Sequence, residues 1–590
     1  MKRINKRIKI SLVVVAAVGL FACAKTWLDV SPIGSLAPET LANKPGVEAL
    51  LIGAYSMLDG QGGAGQNNGP WATASSNWVY GSVPGGDAHK GSDPGDQNLI
   101  TPIETWNANA ANNYLVDIWQ ARFDGVQRAN EAIRVMRLAK DMTGDDTVQV
   151  KAEALFLRAH YHFELVKFFG SMWVPYIDES VTYSAGNYYV ANGVDILPAI
   201  EADMTYAYQN LPETQSQVGR ANKWAAAAYL GKILLFEKKF ADAKTVLTAV
   251  ITSGKNPLGT KYALVAHYGD NFNPAKKNSA ESVFAAQMSV NDGAGANNAN
   301  AGDVLNFPYL SNKSPGGCCG FFQPSFSLVN SFKTDAANGY IPLAIMHTDW
   351  NATDLKNDQG IASKDPYTPD GTTPVDPRID WTAGRRGIPY LDWGPMTGSD
   401  WIRDQSSAGP YAPIKNVYYK SQEGSLTDNS SWTSGYTANN TNLIRFSDVL
   451  LMAAEAEVQA GDKAVAMGYV NQVRQRAMDP TGFVQGSPAN YQVGLYTAGT
   501  WGGHELDAIY FERKIELGME GHRFPDLVRW GTAATELNAY AQHEANVSNY
   551  FTMKGAAFVP GKSDYLPIPQ SEIDKTTKGG TQVLQQNPAY

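Results

Sequence analysis

Two groups of side chains combine flat aromatic rings with hydrogen-bonding groups, as a ligand-binding surface would. The first group is Trp71, Asn77, Trp78 and Tyr80, which lie in one short stretch of the chain. Aromatic rings pack against the apolar C–H faces of sugars, and amide groups hydrogen-bond the hydroxyls around them. Because such rings more often fill the interior of loops, a structural role is the alternative for each of them.

Two adjacent cysteines lie within the second group. Cys318 and Cys319 occur in the run SPGGCCGFF. The aromatic members of this group are Phe307, Tyr309, Phe321 and Phe322. In an oxidising compartment, neighbouring thiols can close a vicinal disulfide, which would be a rigid platform beneath a ligand. Since that ring needs an unusual peptide geometry, a pair of reduced, buried thiols is the alternative.

Carboxylates at helical spacing raise the question of catalysis. Glycoside hydrolysis needs two carboxylates held about 5 to 10 Å apart across a cleft. Glu512, Glu516 and Glu520 recur along one predicted helix. They flank Arg513, Arg523 and Arg529. This pattern favours ion pairing within a scaffold, so we expect no catalytic site.

The histidines offer no metal site. His160 and His162 are about 200° apart around a predicted helix, so they cannot share a metal ion. His522 is interpreted as a structural hydrogen-bonding residue. The sequence has no GxSxG, P-loop, HExxH or CxxC motif, and we expect neither a cofactor nor a metal.

Three arginines accompany tryptophans in a loop-rich part of the chain. They are Arg385, Arg386 and Arg403, among Trp381, Trp393 and Trp401. These arginines could receive an acidic sugar, but a solvated basic surface is the favoured interpretation.

The first residues have the order of a bacterial lipoprotein leader. Residues 1–22 combine a basic start with an apolar run too short for a lasting membrane span. The sequence Leu20-Phe21-Ala22-Cys23 resembles a lipobox, in which Cys23 is acylated and becomes the first mature residue. One acyl chain binds a bilayer marginally, whereas two or three hold durably. The alternative is a free Cys23 in a cleaved leader.

Net charge restricts the partners. Removing the five basic residues of the leader changes the formal charge of the chain from -9 to -14. A chain this acidic is a poor binder of nucleic acid or of anionic lipid. We therefore expect no nucleic-acid partner, and attachment to a membrane would depend on acyl chains.

Helix pairs must position these residues. The stretch from Lys151 to Val174 predicts one amphipathic helix, apolar on more than one side, that stops near Gly170. Its polar side carries Glu153, His160, Glu164 and Lys167. A helix from Tyr114 to Ala139 completes the first pair. Residues 221–239 with 240–254, and 444–461 with 462–477, predict two further pairs of tetratricopeptide-like character.

Long loops separate the helical parts. We predict a leader at residues 1–22, a lipidated tether at 23–44 and a single domain at 45–590. Within that domain, residues 45–58, 114–255 and 441–590 form the helical scaffold, and 59–113 and 261–440 are loop-rich and face the ligand. Long loops are uncommon in compact domains unless they serve a function, so the binding surface is expected there. The stretch from Trp71 to Trp106 is predicted to be irregular surface structure.

Several motifs occur in a fixed order along the chain. They are RAN at Arg128 to Asn130, AEALFLRAHYHFELVKFFG, DPRI at Asp376 to Ile379, IRFSDVLLMAAEA, VNQVRQRA, ERKIELGMEGHRFPDLVRWG, YLPIPQSEI and the terminal QNPAY. Together they resemble the SusD/RagB family of outer-membrane lipoproteins, which bind glycans in gut and environmental Bacteroidetes. These motifs lie largely in the scaffold, so they identify no ligand-binding residue.

The resemblance implies a mostly α fold, in which tetratricopeptide-like helix pairs form a right-handed superhelical scaffold with a long loop-rich face. It also implies a non-catalytic lipoprotein on the outer face of the outer membrane, with a SusC-like TonB-dependent transporter as its partner. The expected function is capture of an oligosaccharide or polysaccharide and its delivery to that transporter. The alternatives are capture of a peptide or another non-sugar nutrient, or a transporter lid that binds no ligand.

Overall fold

The computed structural model describes residues 38–590, except 183–185, 187–188, 311–313, 347–349 and 548–550. The predicted leader and Cys23 lie outside these residues. The longer helices are α1 (Lys44–Tyr55), α2 (Asn113–Met136), α3 (Gly144–Phe169), α4 (Leu197–Asn210), α5 (Lys223–Phe236), α6 (Phe240–Ser253), α7 (Phe446–Ala460), α8 (Lys463–Ala477), α9 (Glu505–Leu517), α10 (Arg523–Trp530) and α11 (Ala533–Val547). Helices of four to six residues cover Thr101–Glu104, Phe326–Asn330, Ile379–Thr382, Gln405–Ala408, Ala498–Trp501 and Gln570–Lys575. The predicted mostly α fold is confirmed.

Helices α1 to α8 form a continuous stack. Each helix from α2 to α8 packs against the one before it in the chain, even though nearly two hundred residues separate α6 from α7. The three predicted pairs α2–α3, α5–α6 and α7–α8 are present, and α4, which was not predicted, joins the first pair to the second. Close packing of α5 on α6 depends on Gly231, where a Cβ atom would lie 2.5 Å from Cγ of Leu247.

Helix α3 is longer at its start than the apolar pattern predicted. The backbone N–H of Asp146 donates to the hydroxyl of Thr143, and the backbone N–H of Thr143 donates to the carboxylate of Asp146. This capping box fixes the first turn seven residues before Lys151. The helix ends before Gly170, as expected, because that residue adopts a φ of 85° that glycine tolerates best.

The polar side of α3 is not exposed, which corrects its prediction as an amphipathic helix. Glu153, His160, Glu164 and Lys167 are all buried. Glu164 forms an ion pair of 2.7 Å with Lys167 and also accepts a hydrogen bond from the amide of Asn77. Pairing inside the stack replaces solvation, so α3 is covered on all sides from Ala152 to its end.

Ten short strands in the described part of the chain form five two-stranded sheets. The antiparallel pairs are β1 (Ala88–Gly91) with β3 (Phe321–Pro324), β2 (Ser282–Ala286) with β7 (Thr441–Arg445), β5 (Ala383–Gly384) with β6 (Ala412–Pro413), and β9 (Thr577–Lys578) with β10 (Thr581–Gln582). The parallel pair is β4 (Pro374–Val375) with β8 (Asn490–Tyr491). Pairing of β1 with β3 joins the two loop-rich sections into one structure.

The stretch from Trp71 to Trp106 is mostly interior, which corrects its prediction as surface structure. Residues 72–92 are buried without interruption. The carboxylate of Asp87 accepts a hydrogen bond from the backbone of Met519, and the hydroxyl of Ser82 accepts one from the backbone of Gly521. The segment between α9 and α10 therefore covers this loop.

Buried ion pairs hold α9 in place. They confirm that Glu512, Glu516 and Glu520 form ion pairs within the scaffold, but the partners differ from the predicted ones. Glu512 pairs with Arg378 and Arg474, Glu516 with Arg378, Arg445 and Arg476, and Glu520 with Lys415 and Arg445. Arg513, Arg523 and Arg529 instead pair with Asp448, Asp526, Glu536 and Glu455. Although burial raises the pKa of Glu516, its arginine partners hold that pKa well below its ordinary value. A carboxylate held this way is a poor proton donor.

Candidate functional site

Loops from distant parts of the chain meet in a surface that we call the loop face, consisting of Tyr309, Cys318, Arg403, Trp432 and Tyr436. A Cβ atom at Gly320 would lie 3.2 Å from Cβ of Tyr309 and 3.4 Å from Cβ of Arg403. The hydroxyl of Thr433 donates to the carbonyl of Gly316, which ties the Trp432 loop to the turn before the cysteines. Contacts at Gly316 and Gly320, on either side of the two cysteines, therefore bring these loops together.

Arg403 lies over an aromatic ring and beside two carboxylates. Its guanidinium carbon is 5.4 Å from the ring centroid of Tyr309. Its nitrogens lie 2.5 Å from Asp93 and 2.6 Å from Asp96, and the Arg403 side chain keeps 30% of its surface exposed. A half-exposed ring with charged hydrogen-bonding groups beside it suits a sugar.

Cys318 and Cys319 are joined by a disulfide in the structure. The backbone N–H of Cys319 donates to the carbonyl of Leu305, and that of Gly320 donates to the carbonyl of Phe307 at 2.9 Å. Cys318 is half-buried and Cys319 is buried. The pair is therefore a fixed segment of backbone between Tyr309 and the Trp432 loop.

Trp432 is the exposed aromatic plate of this surface, and sequence reasoning missed it. Its side chain is 58% exposed, and its indole N–H donates to the hydroxyl of Tyr436 at 3.0 Å. The two rings meet edge to face at 6.3 Å. The signal was present in the run SSWTSGY, where two aromatic residues lie among small polar residues that cannot bury them.

Most of the rings predicted to bind a ligand are instead in the core. Their exposed fractions are 0% for Trp78, 2% for Tyr80, 1% for Phe307, 0% for Phe321 and 1% for Phe322. The indole N–H of Trp78 donates to the carbonyl of Gly302, and the hydroxyl of Tyr80 lies 2.8 Å from the carbonyl of Tyr114. Because protein covers both the ring faces and the polar groups, these residues build the loops rather than contact a ligand.

Of the remaining predicted ligand-binding residues, one is buried and two are half-buried. Asn77 is buried, and its amide group is committed to Glu164. Trp71 is half-buried, with its indole N–H 3.0 Å from the hydroxyl of Tyr114, and Tyr309 is half-buried on the loop face. Trp71 and Tyr309 therefore stay candidate ligand-binding residues.

Two of the three arginines expected on a solvated surface are buried, which corrects that interpretation. Arg385 forms two hydrogen bonds with the carboxylate of Asp380, at 2.7 and 2.9 Å. Arg386 donates to the backbone carbonyls of Ser363 and Asp365. Arg403 is the member of this set that reaches the surface.

The described residues contain neither a cluster of metal-ligating side chains nor a membrane-spanning helix. In that part of the chain, no group of three or more histidine, cysteine, aspartate or glutamate side chains is arranged to hold a metal ion. None of the helices described there has both the length and the apolar character needed to cross a bilayer.

Comparison with known families decides the class of this protein. The family model described as "SusD family" matches residues 280–590, which is over half of the chain. The chain belongs to the SusD family. A second family model, described as "Starch-binding associating with outer membrane", matches residues 27–235.

Individual SusD relatives extend over almost the whole chain. SusD-like protein P25 of Formosa agariphila is 24% identical over 542 residues, covering 89% of this chain and 90% of the relative. A solved "Laminarin binding SusD-like protein" is 23% identical, with a TM-score of 0.63, and covers 93% of this chain and 100% of its own. Surface glycan-binding protein A from Bacteroides thetaiotaomicron, solved with laminarihexaose, is 20% identical, with a TM-score of 0.62 and the same coverage. These similarities confirm the predicted tetratricopeptide-like helical fold.

Proposed function

We propose that this chain binds a glycan on its loop face at the cell surface, without catalysis, and delivers it to a SusC-like TonB-dependent transporter. The observation that carries the proposal is Trp432, an indole that is 58% exposed and oriented by its hydrogen bond to Tyr436. Tyr309 and Arg403 supply a second ring and hydrogen-bond donors on the same surface. One structural neighbour is a laminarin-binding SusD-like protein, and another was solved with laminarihexaose. Laminarin is therefore the first ligand to test.

Binding on a preordered surface suits this role. The rings and the disulfide are held by contacts within the protein, so little order is lost when a ligand binds. An open surface gives modest affinity, which allows the ligand to be handed on. The paired state of Glu512, Glu516 and Glu520 supports binding without hydrolysis.

Attachment to the outer membrane through acylated Cys23 is part of the proposal. The family description "associating with outer membrane" supports the location. Cys23→Ser should move the protein from the membrane fraction to the soluble fraction, and unchanged fractionation would contradict a lipid anchor. Co-purification with a TonB-dependent barrel tests the transporter as partner.

The glycan proposal is tested by electrophoresis of the purified protein in gels that contain laminarin or another neutral polysaccharide. We expect the wild type to be retarded, and Trp432→Ala to weaken binding about 3- to 10-fold, as expected from the loss of one stacked ring. Leu258→Ala removes a 62% exposed apolar side chain outside the loop face and should leave retardation unchanged.

Other outcomes of this experiment favour the alternatives. If the wild type is not retarded by any glycan but co-purifies with the barrel, the chain is a lid. Binding of peptides in place of glycans would indicate capture of another nutrient. Release of reducing sugar by the isolated protein would contradict the non-catalytic role.

A further inference from the structure

A second concave site lies beside α11. Its walls are formed by α9, α10, α11, the short helix Phe326–Asn330 and residues 350–352, and its volume is about 400 Å³. We call it the α11 cleft and define it by Trp350, Lys514, Arg523, Gln542 and His543. None of these residues belongs to the loop face.

Lys514 enters this cleft without an anionic partner among the described residues. Its ammonium nitrogen is 4.3 Å from the ring centroid of Trp350, and no carboxylate or carbonyl in the described part of the chain lies within hydrogen-bond distance. Burial lowers the pKa of Lys514 to about 7, and the charge of Arg523 acts in the same direction. Lys514 is half-buried, and an ammonium group that is partly desolvated and has no anionic partner is stabilised by an incoming anion.

The other charges around the cleft already have partners. Arg523 pairs with Glu536 at 2.7 Å. His543 lies 3.0 Å from Asp354 and 3.3 Å from Glu544. The Nε and Nη1 atoms of Arg523 are buried and have no hydrogen-bond partner, so part of its charge also remains uncompensated. The nearby carboxylates are therefore committed to cations other than Lys514.

One further carboxylate near Lys514 is held by backbone and hydroxyl groups. Asp87 accepts hydrogen bonds of 3.0 Å from the backbone of Met519 and from the hydroxyl of Ser82. Burial raises the pKa of Asp87 to about 6, so this carboxylate is still mostly ionised near neutral pH. No hydrogen bond or ion pair joins Asp87 to Lys514 among the described residues, so its negative charge acts on Lys514 only over a longer distance.

The rim of the cleft carries exposed amides. Gln542 and Asn546 lie one turn apart on α11, line the cleft and are exposed to solvent. Amides at this position can bind hydroxyl groups beside an anion that reaches Lys514.

We propose that the α11 cleft binds the anionic group of an acidic sugar, either a carboxylate or a sulfate ester, and that Lys514 is the residue that receives it. The proposal rests on the proposed function only in taking the ligand to be a sugar. It adds a second subsite, distinct from the loop face, that selects for negative charge.

The test compares polysaccharides that differ in charge alone. Polygalacturonate and its fully methyl-esterified form make up the carboxylate arm, and dextran sulfate and dextran make up the sulfate arm. We expect the wild type to be retarded about tenfold more strongly by the charged member of at least one pair. Lys514→Gln should abolish that difference, whereas Lys514→Arg should keep most of it.

Two further variants test the proposal even if Lys514→Gln folds poorly. Gln542→Ala changes an exposed rim residue and should weaken retention on the charged polymer about threefold. Lys140→Gln makes the same charge change at an exposed position outside the cleft and should have no effect. Equal retention on the charged and neutral members of both pairs would overturn the proposal, as would an unchanged preference in a folded Lys514→Gln protein.

Failure of this proposal is distinguishable from failure of the proposed function. Retention on laminarin without a charge preference would support the loop face and refute the cleft. Retention on the charged polymers alone would refute binding of neutral glycans on the loop face and support the cleft.

Discussion

Trp78 and Trp432 carry the same side chain in two opposite environments. The indole of Trp78 is 5.6 Å from the ring of Phe322 and 6.2 Å from that of Phe321, and none of it reaches solvent. The indole of Trp432 has one intramolecular partner, Tyr436, among the aromatic contacts of the described residues, and most of it is in water. The first ring stabilises the loops and the second is available to a ligand.

Trp78→Ala is therefore expected to destabilise the protein rather than to remove a binding contact. Loss of a fully buried indole leaves a cavity and should lower the free energy of unfolding by about 3–5 kcal/mol. Thermal and urea unfolding, compared with Trp432→Ala, measure this difference. A Trp78→Ala protein of unchanged stability with weakened glycan retention would show that the ring contacts the ligand.

The residue types of the site could be predicted from the sequence, but their exposure could not. Local composition placed aromatic rings near Cys318 and within residues 71–80. What buries Trp78 is the carbonyl of Gly302 and the ring of Phe322, which lie more than two hundred residues away along the chain. Trp432 is exposed because its neighbours in the sequence are small and polar. This pattern was a weaker signal than the clusters of aromatic residues near Cys318 and within residues 71–80.

At the scale of elements, the close approach of α5 and α6 depends on the absence of a side chain. The Leu247 side chain of α6 occupies the space beside Gly231 of α5. Gly468 of α8 is a natural comparison, because nothing lies within 4 Å of the position where its Cβ would be. Both glycines are inside helices, so they differ in packing alone.

Alanine at these two positions should change stability in opposite directions. Gly468→Ala should raise the free energy of unfolding by up to about 1 kcal/mol through helix propensity. Gly231→Ala should lower it by about 1–2 kcal/mol, because displacement of Leu247 outweighs the same gain. Urea unfolding of both variants measures the effect, and two stabilised proteins would show that α5 and α6 can separate without cost.

Periodicity predicted the three helix pairs because their apolar residues recur at helical spacing. It did not predict α4, whose sequence mixes polar and apolar residues and whose start at Leu197 has no side-chain cap. It also predicted that Glu164 and Lys167 face solvent. An ion pair buried between helices has the same sequence pattern as two charged residues on an exposed helix surface. Partners contributed by distant elements are the information that the pattern lacks.

At the scale of the whole molecule, one buried histidine joins three separate parts of the chain. The two ring nitrogens of His89 lie 2.9 Å from Glu104 and 2.8 Å from Glu544. Although burial lowers the pKa of His89, these hydrogen bonds raise it to about 9. His89 is therefore charged at neutral pH and links β1 to α11.

Stability should depend on pH through this group. A histidine whose pKa is raised on folding stabilises the protein fully below its unfolded pKa of about 6.5, and loses that effect as the pH rises through about 9. The difference in free energy of unfolding between the wild type and His89→Gln should therefore be largest near pH 6 and smaller near pH 9. Urea unfolding at both values measures it, and a difference that does not change with pH would show that His89 is neutral in the folded protein.

The contacts of β1 and its neighbours also join residues from near the two ends of the chain. Glu544 follows His89 by 455 residues, and Met519 follows Asp87 by 432. Strand β3 and Gly302 cover part of this early segment, but the side that faces α9, α10 and α11 stays uncovered until those late residues have been made. This part of the core can therefore be completed only when almost the whole chain is available.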